Sequence, residues 1–260
     1  MSVPAIVATS IPMDGGHDGV RTLVLGPSLG TTTAIWDRVR PLLAPSHPLL
    51  AWDLPGHGAS PAAAAPFSME ELAQGVLDAI DAAGVERFAF AGISLGGVVG
   101  LQLALDDPKR VTSLAMVCAL PKIATADTWL KRAADVRAMG TPSLVTATAG
   151  RWFTPAFLDR ERDVSSRVLH GLLDIDDESY ALCVDALRET DLRERVSELK
   201  IPLSLIVGDS DPVIPLEDAR TTVAAARQGT LHVIAAASHL AAVEHPAQVA
   251  GILVTETSNP

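Results

Sequence analysis

A chain of 260 residues is long enough for one large domain and does not require two. With 31 acidic against 20 basic residues, the net charge of −11 excludes the basic surface that a nucleic acid or an anionic membrane would need. Apolar residues make up 48% of the chain, enough for a sizeable core, yet no run is long enough to cross a bilayer.

Taken in chain order, short β-type runs alternate with helical patterns. The predicted strands are Ala5 to Thr9, Arg21 to Gly26, Leu49 to Trp52, Arg87 to Gly92, Leu114 to Cys118, Leu203 to Val207 and Leu231 to Ala235. Between them the predicted helices are Trp36 to Leu43, Ser68 to Ala83, Leu95 to Asp106, Pro215 to Ala226 and Pro246 to Val254. Ser68 and Glu71 have capping-box spacing, and Gly84 suits the far end of that helix. The Pro61 to Pro66 stretch reads as a surface loop. This alternation predicts a mostly parallel sheet with helices on both faces. From Pro121 to Asp191 it fails: helical patterns follow one another at Asp127 to Met139, Pro142 to Ala149, Pro155 to Leu173 and Glu178 to Arg188. Residues 121–191 are therefore expected to form a helical cap inserted into an α/β core of 1–120 and 192–260, and the cap is where substrate choice is expected to lie.

The strongest chemical signal is Gly92-Ile93-Ser94-Leu95-Gly96, entered from the apolar run Phe88-Ala89-Phe90-Ala91 and followed by a helical pattern. A strand, a Gly-x-Ser-x-Gly turn and a helix form a nucleophile elbow, which lifts one serine hydroxyl clear of the sheet. Side chains at the flanking glycines would clash with neighbouring backbone. Further on, Ile206-Val207-Gly208-Asp209-Ser210-Asp211-Pro212 breaks from a strand into an acidic turn, and Ser238-His239-Leu240 follows the last predicted strand. Serine, then acid, then histidine is the chain order of the α/β-hydrolases, so the predicted fold class is α/β with that fold.

The roles follow from chemistry. His239 would take the Ser94 proton near neutral pH, and Asp211 would hold the imidazole in the required tautomer. Asp209 competes for the acid role, but reads better as a turn residue bonding to nearby backbone. The oxyanion needs two N–H donors: Leu95, which follows the nucleophile, and Leu29, in Gly26-Pro27-Ser28-Leu29-Gly30-Thr31. Of the other histidines, His57 lies on a turn and reads as structural. His17 and His47 are in loops, His232 is inside a strand, His170 is in the cap and His245 is at the surface. Cys118 and Cys183 read as small buried hydrophobes. No metal-ligand spacing and no phosphate-binding glycine loop are present, so neither metal nor cofactor is expected. No basic residue precedes Arg21, so a charged secretory start is missing and a soluble, cytoplasmic protein is expected.

The chain also resembles the 3-oxoadipate enol-lactonases of the β-ketoadipate pathway over nearly its whole length. The resemblance rests on Ser28-Leu29-Gly30 with Trp36-Asp37, Asp53-Leu54-Pro55-Gly56-His57-Gly58, and Gly92 to Gly97. In the cap it rests on Lys122-Ile123 with Trp129, Arg151-Trp152-Phe153-Thr154-Pro155, and Ala186 to Arg188 with Asp191-Leu192-Arg193. Gly208 to Pro215 and Ser238-His239-Leu240 with Val243-Glu244 complete it. It implies hydrolysis of a small-molecule lactone that carries a carboxylate arm. Lys122 and Arg151, and after them Lys131 and Arg132, are the cap cations implied for that arm, with Trp129 and Trp152 as apolar walls. Lys122 stands where the family has arginine, which replaces a bidentate fork by a point charge. The same triad would also serve a carboxylesterase, a cofactor-free perhydrolase or a slow-turnover binding protein.

Overall fold

The computed structural model describes residues 2–11 and 20–257. His17 therefore lies outside the described residues. Seven strands form one sheet: β1 (Ala8–Ile11), β2 (Thr22–Gly26), β3 (Leu49–Trp52), β4 (Phe88–Ile93), β5 (Val111–Val117), β6 (Leu203–Gly208) and β7 (Gly229–Ile234). Their spatial order is β1-β3-β2-β4-β5-β6-β7, with β1 antiparallel to β3 and every other pairing parallel. Every residue of β3, β4 and β6 is buried, as expected for parallel strands covered on both faces. The edge strands β1 and β7 are largely accessible.

In chain order the helices are α1 (Arg40–Leu43), α2 (Met69–Ala82), α3 (Leu95–Asp106), α4 (Ala126–Met139), α5 (Val145–Trp152), α6 (Pro155–Arg160), α7 (Arg162–His170), α8 (Asp177–Glu189), α9 (Leu216–Ala225), α10 (Ala241–Glu244) and α11 (Pro246–Thr257). The capping box on α2 is present in full: the Glu71 N–H donates to Ser68 Oγ at 3.2 Å, and the Ser68 N–H donates to Glu71 Oε2 at 2.9 Å. All but two residues of α3 are buried, because this helix sits centrally behind the sheet rather than at its rim.

Several elements differ from the sequence reading. β1 lies three residues later than predicted, at the antiparallel edge. β5 begins at Val111 rather than Leu114, since the polar Thr112 and Ser113 hide a strand inside an apolar layer. The expected helix Trp36 to Leu43 resolves into a 3₁₀ turn, Thr33–Trp36, and the short α1. The long pattern Pro155 to Leu173 breaks at Glu161, whose backbone leaves the helical region (φ −119°, ψ 50°), and it ends in a 3₁₀ turn.

Between β5 and β6 the described chain is helical, with no strand. This inserted region meets the core on more than one side. On one side the α8 end docks on the loop after β3: Asp176 N–H donates to Gly56 O at 3.0 Å, and Ala63 N–H to Ser179 Oγ at 2.9 Å. On the other side, the end of α5 accepts from the loop after β7, Ser238 Oγ donating to Arg151 O at 2.9 Å and Leu240 N–H to Trp152 O at 3.0 Å. Both contacts lie at the carboxyl ends of the parallel strands, the edge where open α/β sheets bind their ligands.

Candidate active site

Ser94 is the hinge between β4 and α3. Its backbone is held at φ 52° and ψ −115°, a conformation an L-residue adopts only when its surroundings enforce it. They do so tightly. A Cβ on Gly92 would lie 2.2 Å from the Gly96 carbonyl, and one on Gly96 would lie 2.6 Å from Pro27 O. The Gly96 N–H donates to Pro27 O at 3.0 Å, which ties the serine turn to the loop after β2. Ser94 itself is only 7% exposed.

Asp211 follows β6, and its side chain is fully buried. One oxygen, Oδ2, is 2.9 Å from Nδ1 of His239, and the other accepts the Val213 N–H at 2.8 Å. Both oxygens of the carboxylate are thus engaged, which fixes its orientation toward the ring. Asp209 bonds elsewhere, accepting from Ala236 N–H and Ser210 Oγ. Of the two acids, only Asp211 reaches a histidine. The structure therefore gathers Ser94, Asp211 and His239 on loops at the same edge of the sheet. Cys118, just past β5, is buried against this acid. Burial, reinforced by the Asp211 charge, pushes its thiol well up.

The loop after β2 is built around His57. The ring Nδ1 faces Pro55 O at 2.8 Å, so Nδ1 carries the proton and Nε2 accepts the Gly30 N–H at 3.3 Å. Complete burial pushes His57 down to about 4, matching the neutral form this arrangement needs. Asp53 supports the same region, accepting from the N–H groups of Thr33 and Ala59. No described backbone hydrogen bond uses the N–H of Leu29 or Leu95.

The helical region closes over Gly30. Leu172, Tyr180 and Trp152 fill the space that a Cβ there would need, at 2.9, 3.3 and 3.4 Å. Tyr180 also stacks on His57, with ring centroids 6.2 Å apart. Its hydroxyl accepts from Arg132 at 3.2 Å, and Arg132 lies over the Trp129 ring.

The other sequence-predicted residues fall as follows. Trp129 is buried, and its indole N–H donates to Ile123 O at 2.6 Å, so it packs the inserted region from within. Trp152 is buried beside Gly30. Arg151 donates to Thr148 Oγ1, while its carbonyl accepts from Ser238 Oγ at 2.9 Å. Lys122 is engaged by Asp191 at 3.0 Å, and Arg193 binds the same carboxylate. Those bonds, from Arg193 first and Lys122 second, hold Asp191 well below the usual carboxylate range. Lys122 lines a groove of about 630 Å³ with Arg193, Val213 and Asp218; neither Ser94 nor His239 lines it. Lys131 pairs with Asp135. His170 is exposed, His47 is buried against Thr257, His232 faces Glu256, and His245 is half-buried with its ring on Ala236 O.

The sequence reading assigns no role to Tyr180 or Glu244, and it takes Cys118 for a small buried hydrophobe, which its burial bears out without showing its neighbour Asp211. The contacts of all three are recognised only when chain-distant segments meet, and Glu244 alone carried a signal, as part of the family-like segment. Among the described residues no group of three or more histidine, cysteine or carboxylate side chains is placed to hold a metal ion. No described helix is long and apolar enough to cross a membrane.

Comparisons with known proteins show what the chain as a whole is similar to. The chain is 32% identical over 224 residues to 3-oxoadipate enol-lactonase 2 of Acinetobacter baylyi, covering 86% of this chain and 84% of that one. It is 30% identical to the pimeloyl-[acyl-carrier protein] methyl ester esterase of Serratia marcescens, covering 88% and 91%. Among solved structures, the enol-lactonase from Burkholderia xenovorans LB400 superposes with a TM-score of 0.92 at 27% identity, over 96% of this chain and 95% of that one. The sequence profile of the alpha/beta hydrolase family matches residues 23–252, and the chain belongs to that family.

Proposed function

We propose that this chain hydrolyses an enol-lactone, opening 3-oxoadipate enol-lactone to 3-oxoadipate as part of aromatic catabolism through the β-ketoadipate route. The observation that carries the reading is the buried Asp211–His239 pair at 2.9 Å, set on the same edge of the sheet as the strained Ser94 turn. Similarity to enol-lactonases over most of the chain supports the substrate class.

In this reading Ser94 Oγ adds to the lactone carbonyl while its proton passes to His239 Nε2. Asp211 stabilises the imidazolium and keeps the Nδ1 proton in place. The negative charge on the carbonyl oxygen is met by the N–H groups of Leu29 and Leu95, which have no described acceptor. The ring C–O bond then breaks, and the enolate leaves, takes the proton and settles as the ketone. Water, deprotonated by His239, attacks the remaining ester, and the carboxylate departs as Ser94 is restored.

The substrate's carboxylate arm needs a cation. Lys122 and Lys131 are already paired with aspartates. Arg132 and Arg151 have no carboxylate partner among the described ion pairs; Arg151 bonds to Thr148 Oγ1, and Arg132 stands between Trp129 and the Tyr180 hydroxyl, on the side of the inserted region that touches Gly30. Arg132 is therefore favoured over Lys122 for the arm, with Trp152 as an apolar wall beside the ring. A second reading, a carboxylesterase acting on a small ester, draws on the likeness to the methyl ester esterase.

The two readings separate on turnover of 3-oxoadipate enol-lactone and of p-nitrophenyl acetate, each with Ser94→Ala as control. Ser94-dependent lactone opening with weak ester cleavage is the expected result. Ester cleavage without lactone turnover would favour the esterase, and activity surviving in Ser94→Ala would refute both.

A further inference from the structure

Glu244 is a carboxylate at the end of α10, 6% exposed and without a cation among the described ion pairs. Its charge is held instead by three donors from two chain segments. Oε1 accepts the Thr154 N–H at 2.8 Å and the Thr154 hydroxyl at 2.7 Å, while Oε2 accepts the N–H of Ser238. Thr154 belongs to the inserted helical region, between α5 and α6, and Ser238 immediately precedes His239. Two reciprocal bonds run alongside: Ser238 Oγ donates to Arg151 O at 2.9 Å, and the Leu240 N–H donates to Trp152 O at 3.0 Å. His239 is therefore bracketed on both sides by bonds to residues 151–154, the same segment that carries Trp152 to within 3.4 Å of the Cβ position of Gly30.

We propose that Glu244 is a positioning residue for the reaction, a buried clasp that holds the His239 loop and the Arg151–Thr154 segment in one register. The proposal rests on the reading of Ser94, His239 and Asp211 as the reacting groups. The chemistry favours a carboxylate here because both of its oxygens face donors. A neutral amide would turn an N–H₂ toward one of them, and a buried donor facing a donor costs about as much as a lost hydrogen bond. Proton transfer depends on where the base sits, and displacement of a reacting group by about 1 Å can cost on the order of 100-fold in rate.

The test is Glu244→Gln, measured with p-nitrophenyl acetate and with the enol-lactone. Rates are divided by the concentration of Ser94 titrated with a fluorophosphonate, so that loss of folded protein does not count as loss of rate. The expected result is a fall in kcat of roughly 10- to 100-fold on whichever substrates the wild type turns over, with KM changed far less. An unchanged kcat per titrated site, with only a lower Tm, would reduce Glu244 to a structural role and overturn the proposal. A rise confined to the lactone KM would overturn it too, since the residue would then serve the inserted region and not the base. Should Glu244→Gln yield no folded protein, Glu244→Asp keeps the charge but withdraws it by one methylene from the backbone donors of Thr154 and Ser238. It is expected to lower kcat per site several-fold, and an unchanged value would refute the clasp. A wild type without Ser94-dependent turnover of either substrate would remove the underlying reading as well. An active wild type with an unaffected Glu244→Gln would remove the positioning role alone.

Discussion

The sheet and the inserted helical region solve different problems with different forces. Around the sheet, whole strands are buried and the chain is locked by close backbone approaches: Gly92 against Gly96, Gly96 against Pro27. Such a frame holds the Ser94 turn with little freedom. The inserted region coheres through buried side chains of its own, among them Trp129, Phe153, Phe157 and Tyr180, and it also carries accessible charge pairs, such as Arg137 with Glu178 and Asp185 and Lys122 with Asp191. Exposed pairs of this kind contribute little stability each. On the proposed function this is a division of labour: the reacting groups stand on the closely locked frame, and recognition falls to the inserted region.

The sharpest way to break this comparison is at the acid. Asp211→Asn should leave the fold intact but drop kcat on the order of 10⁴-fold, because the amide favours the wrong His239 tautomer. Steady-state kinetics with a small ester reads this, and a loss of under tenfold would mean the acid sits elsewhere. Next comes recognition. Arg132→Ala should raise KM for the carboxylate-bearing lactone by roughly 10- to 100-fold, the value of a charge-assisted hydrogen bond, while the KM for p-nitrophenyl acetate stays put. Equal losses on both substrates would transfer Arg132 from recognition to packing.

The joint between the two regions has its own signature at His57. Its folded pKa of about 4 lies below the ordinary value of 6.5, so the unfolded chain binds the extra proton first as pH falls. The stability His57 contributes is complete above pH 6.5 and is lost as pH drops toward 4, by up to about 3 kcal/mol. Urea midpoints measured across this range should decline in the wild type and decline less in His57→Asn; parallel slopes would contradict the assignment. The smallest effect belongs to the exposed charges. Arg137→Ala should cost about 1 kcal/mol or less in urea unfolding, and a larger loss would show the inserted region to be held more rigidly than described.

Much of the frame was legible because its signals are local. A strand buried on both faces writes itself as an apolar run, and the Gly-x-Ser-x-Gly turn and Asp211 each follow one, while His239 follows the largely accessible edge strand β7. β5 was read three residues short because Thr112 and Ser113 face an apolar layer without looking apolar, and Ser113 is buried all the same. The break at Glu161 was invisible, since nothing in its neighbours forbids a continuous helix. The partners that matter most in the inserted region were beyond reach for another reason. Lys122 meets Asp191 across 69 residues, Glu244 meets Thr154 across 90, and Tyr180 finds His57 only once the two regions have docked. Pairings at such separations depend on the fold as a whole and leave no periodic trace.

The most direct test of the central claim is to catch the covalent intermediate. Wild-type protein is mixed with p-nitrophenyl acetate or the enol-lactone, quenched in acid within the first turnover, and mapped by peptide mass spectrometry. The account predicts one acyl group on the peptide that holds Ser94, absent from Ser94→Ala and strongly reduced in a variant without His239. Turnover with no acyl group on Ser94, or with the group on another residue, would contradict it.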